Sequence, residues 1–458
     1  MKTTVSCSVA LLFVLAFASC AGSPPATATD REIMKVEAVY NLIDGGKLEE
    51  AEARLMELME AKPLDRDLPV LLASVQLSMG KIDQARATVQ AEVAAAPDNL
   101  NALFVLSEIE RLGGDTKAQK AALDALLAAD PANADAHAAL GDLAYDGKNY
   151  AGAEAEYAKA LAADETHVDA LMGLARVMVR REDSKAALAY LTRAVDAEPD
   201  NAVALLDRSR VYRDLGRLAE SEADLDKAVE LAPSSAWTYL ERGILYMDTG
   251  RAAKAETDLG MAIDLDPDYF LPYVYRAGIR EELGKDQEAL EDYRAIVKLN
   301  PDYWYALESI GVLSWRQGAW QDSADAFMAA STHSQYHPEY HIAAALALLR
   351  SGNARGAKDY AGKNLPKINK DTYPAHWLML RLAYDQTDMS TELELRISAE
   401  RSLDNKAAML FYLGAYWMGR NHPELGAKYV RLSLELDRQG TLEHRMAQAE
   451  LARLPAEK

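Results

Sequence analysis

Two sets of charged residues recur through the middle of the sequence with one fixed spacing. Three arginines lie 34 residues apart, and an aspartate follows each of them 16 residues later. The pairs are Arg208 and Asp224, Arg242 and Asp258, and Arg276 and Asp292. A guanidinium group can satisfy both oxygens of a carboxylate, and a half-buried arginine needs such a partner. We therefore interpret the six residues as structural ion pairs, with an anion-binding site as the alternative.

A second group of arginines stands out because the chain as a whole is acidic. Asp and Glu number 71 against 50 Lys and Arg, which gives a net charge of −21. This balance disfavours a nucleic-acid partner, since a phosphate backbone is repelled at long range. The arginines are Arg176, Arg180, Arg210 and Arg213. They are candidates for binding an acidic peptide or polymer; the alternative is a solvated face paired with neighbouring carboxylates.

The C-terminal half of the chain is richer in aromatic residues than the N-terminal half. Three of these residues are candidates for ligand binding: Trp237, Tyr305 and Trp315. Amphipathic rings are frequent anchors in interfaces. The alternative is that they pack between neighbouring helices.

Three histidines spaced by four residues, His333, His337 and His341, have a spacing that suggests a metal site. Pro338 lies between two of them and interrupts a helix there, and no cysteine is near enough to complete a ligand set. We therefore predict no metal. The sequence also contains no glycine-rich phosphate loop and no Ser/His/Asp arrangement typical of nucleophilic catalysis. Neither a cofactor nor an enzymatic activity is predicted.

Proline, glycine and small residues share the same 34-residue period, which indicates internal repeats. The prolines are Pro63, Pro97, Pro131, Pro199, Pro233, Pro267 and Pro301. The glycines are Gly46, Gly80, Gly114, Gly216, Gly250, Gly284, Gly318 and Gly352. One column of small residues runs from Ala51 to Ala357, and another runs from Ala73 to Ala345.

Each repeat contains two apolar-periodic segments of about twelve residues, the length of ordinary helices. The glycine ends the first helix, because a left-handed residue costs little only for Gly. The proline ends the second helix, because it cannot continue the hydrogen-bond ladder. The small residues let the two helices approach closely. A single helix pair cannot bury both of its faces, so neighbouring pairs must stack.

This pattern resembles the tetratricopeptide repeat family, whose repeats have a small residue at position 8, Ala at 20 and Pro at 32. Repeats begin every 34 residues from Glu32 to Trp304, and a tenth begins at Pro338. The resemblance implies an all-α, right-handed superhelical solenoid of antiparallel helix pairs, with about 11 or 12 repeats and a C-terminal capping helix. It also implies a concave groove lined by the first helix of each pair, toward which the second arginine group and the three aromatic candidates would face.

The predicted boundaries follow from this frame. Regular repeats span 32–337, divergent repeats span 338–440, and the capping helix and tail span 441–458.

The first twenty residues indicate a targeting signal. A short apolar run ends at Ala18 and is too short to cross a bilayer. Ala18-Ser19-Cys20 resembles the lipobox of bacterial lipoproteins, which implies that residues 1–19 are removed and that Cys20 carries the lipid, palmitate included. Residues 20–31 are small and polar and contain proline, as expected of a flexible tether. The alternative is cleavage after Ala18, which gives a secreted protein without lipid.

These features predict a lipid-anchored interaction scaffold in a bacterial cell envelope, on the outer membrane facing the periplasm. We expect a protein or peptide partner in the groove, and membrane contact through the lipid alone. An envelope polysaccharide or acidic polymer, bound during synthesis or export, is the alternative ligand.

Overall fold

The computed structural model describes residues 30–453 except 63–64, 334–336, 388–389 and 437–438. Within these ranges the secondary structure is helical and no strand forms. The predicted signal segment, Cys20, all but the end of the tether, and Pro63 lie outside the described residues. The chain divides into two compact units: unit 1 extends to Leu231 and unit 2 begins at Ala232.

The described part of unit 1 is a series of helices joined by short turns. They are α1 (Asp30–Asp44), α2 (Leu48–Ala61), α3 (Asp67–Ser78), α4 (Ile82–Ala95), α5 (Leu100–Gly113), α6 (Thr116–Ala129), α7 (Ala134–Asp146), α8 (Tyr150–Ala163), α9 (Val168–Arg180), α10 (Ser184–Ala197), α11 (Ala202–Asp214) and α12 (Leu218–Leu231). Odd-numbered helices are the first, or A, members of the pairs, and even-numbered helices are the B members.

Unit 2 continues the same numbering. Its helices are α13 (Ala236–Asp248), α14 (Ala252–Leu265), α15 (Phe270–Glu282), α16 (Asp286–Leu299), α17 (Tyr305–Gln317), α18 (Trp320–His333), α19 (Glu339–Arg350), α20 (Ala354–Asn364), α21 (Pro374–Asp385), α22 (Ser390–Ala399), α23 (Leu403–Gly419), α24 (Pro423–Leu434) and α25 (Leu442–Arg453). A 3₁₀ turn, Leu365–Lys367, follows α20.

The turn inside each pair contains a left-handed residue, as the glycine column predicts. The eight glycines of that column have φ between 69° and 83°. In the two repeats that lack the glycine, Lys148 and Glu182 adopt φ of 60° and 61°. A side chain in this conformation costs about 1 kcal/mol. The packing of the two helices therefore imposes the turn even where the sequence does not favour it.

The small columns lie where A and B helices meet. Ala153 and Ala187 are fully buried. At Gly141 there is no room even for a methyl group, because a Cβ would lie 2.5 Å from the ring of Tyr157. The expected all-α stack of closely packed helix pairs is therefore what the structure shows.

Pairing continues beyond residue 338, where the sequence frame weakens. α19 packs on α20, and α23 packs on α24. The last helix, α25, contacts α23 and α24, and it also contacts α17. Because α17 belongs to a much earlier repeat, α25 does more than cap the end of the stack.

Candidate functional site

Positions 2, 5, 9, 12 and 13 of the 34-residue repeat lie in the A helices and carry the candidate binding residues. We call this row of positions the A face. The unit 1 A face consists here of Arg176, Val179, Arg180, Val203, Arg210 and Arg213. The unit 2 A face consists of Trp237, Glu281, Tyr305, Glu308 and Trp315.

The recurring arginines and aspartates join the two helices of one pair. The Nε and Nη2 atoms of Arg208 both lie 2.7 Å from the carboxylate oxygens of Asp224. In the next repeat Arg242 donates to Asp258 over 2.7 and 3.0 Å. Because each aspartate side chain is nearly buried and both of its oxygens accept from the arginine, these contacts tie A helices to B helices.

The third pair belongs to a larger network that spacing alone did not reveal. Arg276 donates to both oxygens of Asp292, and Arg280 donates to Asp292 over 2.8 Å. Arg280 also donates to Glu256, which Lys285 reaches over 2.6 Å. Burial raises the pKa of Glu256, but the hydrogen bonds from Lys285 and Arg280 outweigh it and lower the pKa below its ordinary value. The network joins α14, α15 and α16.

On the unit 1 A face, Arg176 and Arg180 are exposed residues of α9. Arg176 donates to the carboxylate of Asp142 and to the hydroxyl oxygen of Tyr157, and its guanidinium lies 5.1 Å from the ring centre of Tyr145. The Nε of Arg180 is 3.4 Å from the hydroxyl oxygen of Tyr145. The face is therefore ordered by contacts between consecutive repeats.

Asp142 is a residue of the candidate site that the spacing of the arginines did not predict. It occupies position 9 of its repeat, and Arg176 occupies position 9 of the next one. The hydroxyl of Tyr157 donates to Asp142 over 2.7 Å, and burial together with this carboxylate raises the pKa of Tyr157. Opposite charges 34 residues apart at one repeat position were the signal that could have found this contact.

Arg210 and Arg213 extend the unit 1 A face onto α11. Arg210 donates to Asp207, one turn earlier, over 3.0 Å. Two apolar residues of the same face are strongly exposed, with Val179 at 45% and Val203 at 55%. The unit 1 A face thus combines arginines, some with carboxylate partners, and uncovered apolar surface. This combination fits a chain segment that carries both carboxylates and apolar side chains.

Two of the three aromatic candidates are exposed and stand in a row of rings in unit 2. Trp237 is 44% exposed and stacks on Tyr269, with ring centres 6.2 Å apart. Tyr305 is 59% exposed and stacks on Trp304 at 3.9 Å. The ring of Tyr303 lies 5.9 Å from that of Phe270 and 6.0 Å from that of Tyr305. We call these six residues the aromatic row.

The expectation that Trp315 faces an open groove is wrong, because this side chain is fully buried. Its ring lies edge-on to Trp320 at 5.2 Å and tilted against Phe411 at 5.9 Å. Phe411 belongs to α23, almost 100 residues later in the chain. The repeat frame assigns the side of α17 that Trp315 occupies, but it carries no information about later helices that return to cover it.

α25 covers the same part of the unit 2 A face. The guanidinium of Arg445 donates to Glu281 over 2.7 Å and to Glu308 over 3.4 Å. Arg453 donates to the carbonyl oxygen of Trp315. Glu450 of α25 is 2% exposed and accepts from Arg350 over 3.2 Å. Glu281 and Glu308 of the A face therefore bind one arginine of the last helix, and Glu450 of that helix binds an arginine of α19.

The three histidines do not share a site. The Nδ1 of His337 lies 2.7 Å from Glu339, and the Nδ1 of His341 lies 2.9 Å from the hydroxyl oxygen of Tyr360. Across the described ranges no three metal-ligating side chains converge.

None of the helices that the structure describes is both long and apolar enough to span a membrane.

Two family models match the repeated part of the sequence. A tetratricopeptide repeat model matches residues 70–119, and a model described as the ETO1 C-terminal domain matches residues 120–313. The chain is a tetratricopeptide repeat protein. No curated protein matches it.

Several solved structures resemble parts of this tetratricopeptide repeat protein. A tetratricopeptide repeat protein from Parabacteroides merdae is 22% identical, covers 53% of this chain and 96% of its own, and gives a TM-score of 0.42. PilF from Pseudomonas aeruginosa is 20% identical over 44% of this chain and 92% of its own, with a TM-score of 0.41. YrrB, described as having an unusual peptide-binding site, is 24% identical. The match covers 40% of this chain and 95% of YrrB, with a TM-score of 0.32. These TM-scores are too low to support a functional inference.

Proposed function

We propose that this tetratricopeptide repeat protein is a lipid-anchored adaptor of a bacterial cell envelope. The fold itself supports a general role in protein–protein interaction. The finer proposal is that the unit 1 A face binds an acidic segment of a partner protein that takes part in the assembly or regulation of an envelope machine. Proteins of this family are generally scaffolds, and we propose no catalytic role.

The observation that carries the proposal is the arginine cluster of the unit 1 A face, set in a chain of net charge −21. Charged groups around a binding surface contribute to specificity and association rate, and arginine is enriched where carboxylates are recognised. Val179 and Val203 offer apolar surface beside the arginines. Nucleic acid is a poor partner for so acidic a chain.

The envelope location is supported by the sequence at the N-terminus. Ala18, Ser19 and Cys20 match the end of a lipobox, and Ala21 after the cysteine is compatible with transport to the outer membrane. Membrane contact then requires no helix in the bilayer, because the acyl chains of the lipidated cysteine supply it.

Mass spectrometry of the mature protein from bacterial membranes tests the anchor. We expect a diacylglycerol-modified N-terminal Cys20, and we expect Cys20→Ser to release the protein from the membrane fraction. An unmodified mature protein beginning at Ser19 would rule out the anchor. The matched control is Ser23→Ala, which leaves the lipobox intact.

The aromatic row supports a second candidate function, the binding of an envelope polysaccharide. Exposed Trp and Tyr rings can stack on the apolar faces of sugars, and Trp237 and Tyr305 are exposed members of one row. Affinity electrophoresis in gels containing the polysaccharide tests this candidate. Trp237→Ala combined with Tyr305→Ala should abolish retardation, whereas Tyr384→Ala, which removes a 40% exposed ring outside the row, should not.

A further inference from the structure

The surface of unit 2 carries a cluster of basic residues that contrasts with the acidity of the chain. Residues 354–373 contain five basic residues against two acidic ones, whereas the whole chain has 50 against 71. The five basic residues are Arg355, Lys358, Lys363, Lys367 and Lys370. We call them the lysine patch. All five are exposed, and they lie on α20, on the 3₁₀ turn after it and in the loop before α21.

The patch lies on the side of α20 that faces away from the core of unit 2. The buried side of this helix is formed by Ala357, Ala361 and Asn364. At about 3.6 residues per turn, the three basic residues of α20 fall within about 140° of one another on the opposite side. Lys367 and Lys370 follow directly in the chain and are exposed too. The five positive charges therefore belong to one continuous stretch of surface chain.

Carboxylates leave most of this charge uncompensated. Among the described residues, none of the four lysines of the patch forms an ion pair. Arg355 lies 3.8 Å from Asp359, but both side chains are exposed, so this pair is weak. Burial lowers the pKa of His341 to about 4, and the positive charge of Lys367 adds to that shift. The patch therefore presents a net positive charge to the solvent.

Two aromatic rings of α21 stand beside the lysines. The Nζ of Lys370 lies 4.8 Å from the ring centre of Trp377, and the Nζ of Lys358 lies 5.7 Å from the ring centre of Tyr384. Tyr384 is 40% exposed, and its ring lies against α20, where a Cβ on Gly362 would be 2.9 Å from it. The lysine stems and the amphipathic rings therefore form a surface that is both charged and partly apolar.

We propose that the lysine patch binds the anionic headgroups of a lipid membrane and fixes which side of unit 2 faces the bilayer. The choice of a membrane rests on the proposed lipid anchor, and it adds a second contact to the lipid that the sequence predicted as the only one. Lysine binds phosphate as a point charge, without the paired geometry that arginine offers to carboxylates. Each lysine near an anionic membrane surface strengthens binding, and Trp and Tyr rings favour the level of the headgroups.

The acidity of the rest of the chain makes the patch decisive for orientation. An anionic membrane repels a protein of net charge −21 as a whole. At physiological salt, however, exposed charges act over only about 8 Å, so the residues nearest the membrane dominate. Unit 2 therefore meets the membrane with the lysine patch, and the attraction weakens as salt is added.

Vesicle flotation of the full mature chain with Cys20→Ser tests the patch without the lipid. We expect this parent protein to float with vesicles that contain phosphatidylglycerol and not with vesicles of phosphatidylcholine alone. Raising sodium chloride from about 0.1 M to about 0.5 M should release it. Lys363→Gln combined with Lys367→Gln should weaken binding at least about tenfold, since each lysine contributes about fivefold. The matched control, Lys117→Gln with Lys185→Gln, removes the same charge from exposed sites of unit 1 and should bind like the parent.

Several outcomes would overturn the proposal. It is wrong if the parent binds neutral and anionic vesicles alike, or if the patch variant binds as well as the control variant. Inorganic phosphate should release no more protein than sodium chloride of equal ionic strength, and stronger release would mean a site for free phosphate instead. A parent that binds neither kind of vesicle but binds polyglutamate would assign the patch to an acidic protein segment. None of these results depends on lipidation of Cys20, which mass spectrometry of the mature protein tests separately.

Discussion

Arg445 in the last helix donates a hydrogen bond of 2.7 Å to Glu281, which lies 164 residues earlier in the chain. The contact places α25 across A helices of unit 2 that a simple end cap would leave uncovered. The same helix also reaches α17, because Arg453 donates to the backbone carbonyl of Trp315. Unit 2 therefore differs from unit 1, whose A face keeps exposed arginines and valines.

The two aromatic residues at A-face positions of α17 should differ sharply in their effect on stability. Trp315 is fully buried, so Trp315→Ala should lower the free energy of unfolding by about 3–5 kcal/mol. Tyr305 is 59% exposed and loses mainly its stacking on Trp304, so Tyr305→Ala should cost about 1 kcal/mol or less. Urea unfolding followed by circular dichroism measures both; equal losses would contradict the burial of Trp315.

The buried ion pairs predict an asymmetry between single and double substitutions. Asp258→Ala leaves Arg242 without its carboxylate in a site where the aspartate side chain is 7% exposed, and should cost about 3–5 kcal/mol. Replacing both residues, as Arg242→Met with Asp258→Leu, should recover most of that loss because no charge stays buried. Urea denaturation of the two variants gives the comparison. If the double variant were as unstable as the single one, the prediction would be wrong, and the attraction between Arg242 and Asp258 would itself stabilise the fold.

Two glycines of A helices in unit 2 should respond oppositely to alanine. A Cβ at Gly311 would lie 2.7 Å from the ring of Phe327, so Gly311→Ala should destabilise by about 1–3 kcal/mol. A Cβ at Gly278 would meet nothing within 4 Å, and Gly278→Ala should stabilise by up to about 1 kcal/mol through helix propensity. Thermal unfolding compares the two variants with the parent. If Gly278→Ala lowered the stability, the surface of α15 around Gly278 would have to be in contact with another part of the protein.

His341 should make unit 2 sensitive to acid. Burial, with a smaller contribution from Lys367, lowers the pKa of His341 to about 4 from an ordinary value of 6.5. Between these values the unfolded chain binds more protons than the folded chain, so stability is lost as the pH falls through this window. The contribution reaches roughly 2–3 kcal/mol at the acidic end.

His341→Phe should remove that part of the pH dependence. The measurement is the difference in urea stability between variant and parent at pH 4.5 and pH 7. His333→Phe, at an exposed residue of α18, is the control and should leave the parent's curve unchanged. If His341→Phe changed the free energy of unfolding by the same amount at pH 4.5 and at pH 7, His341 would not be the titrating group.

The repeat frame predicted the fold because its signals are local. A glycine at one position, a small residue at another and a proline at a third each act within one helix pair, and their spacing sets the helix boundaries. The pairing of Arg208 with Asp224 could be inferred for the same reason, since both residues belong to one repeat. Lys148 and Glu182 break the glycine column, yet their turns form because the helices on either side still pack.

The features that the sequence did not predict all depend on contacts between repeats. Asp142 meets Arg176 only because consecutive A helices lie side by side. Trp315 and α25 meet only because a segment far along the chain returns to α17, and a 34-residue period carries no information about such a return. Side-chain exposure on the A face is therefore a property of the whole unit.

Site-specific photocrosslinking in cells tests the proposed binding surface most directly. A benzophenone amino acid at Val203 of the unit 1 A face should capture one partner protein, and Arg176→Glu with Arg180→Glu should abolish that product. The control position is Met56 on the B helix α2, which is as exposed as Val203 at 55% and should capture nothing comparable. Equal capture at Met56, or a product at Val203 that survives the charge reversal, would contradict the assignment of the unit 1 A face as the binding surface.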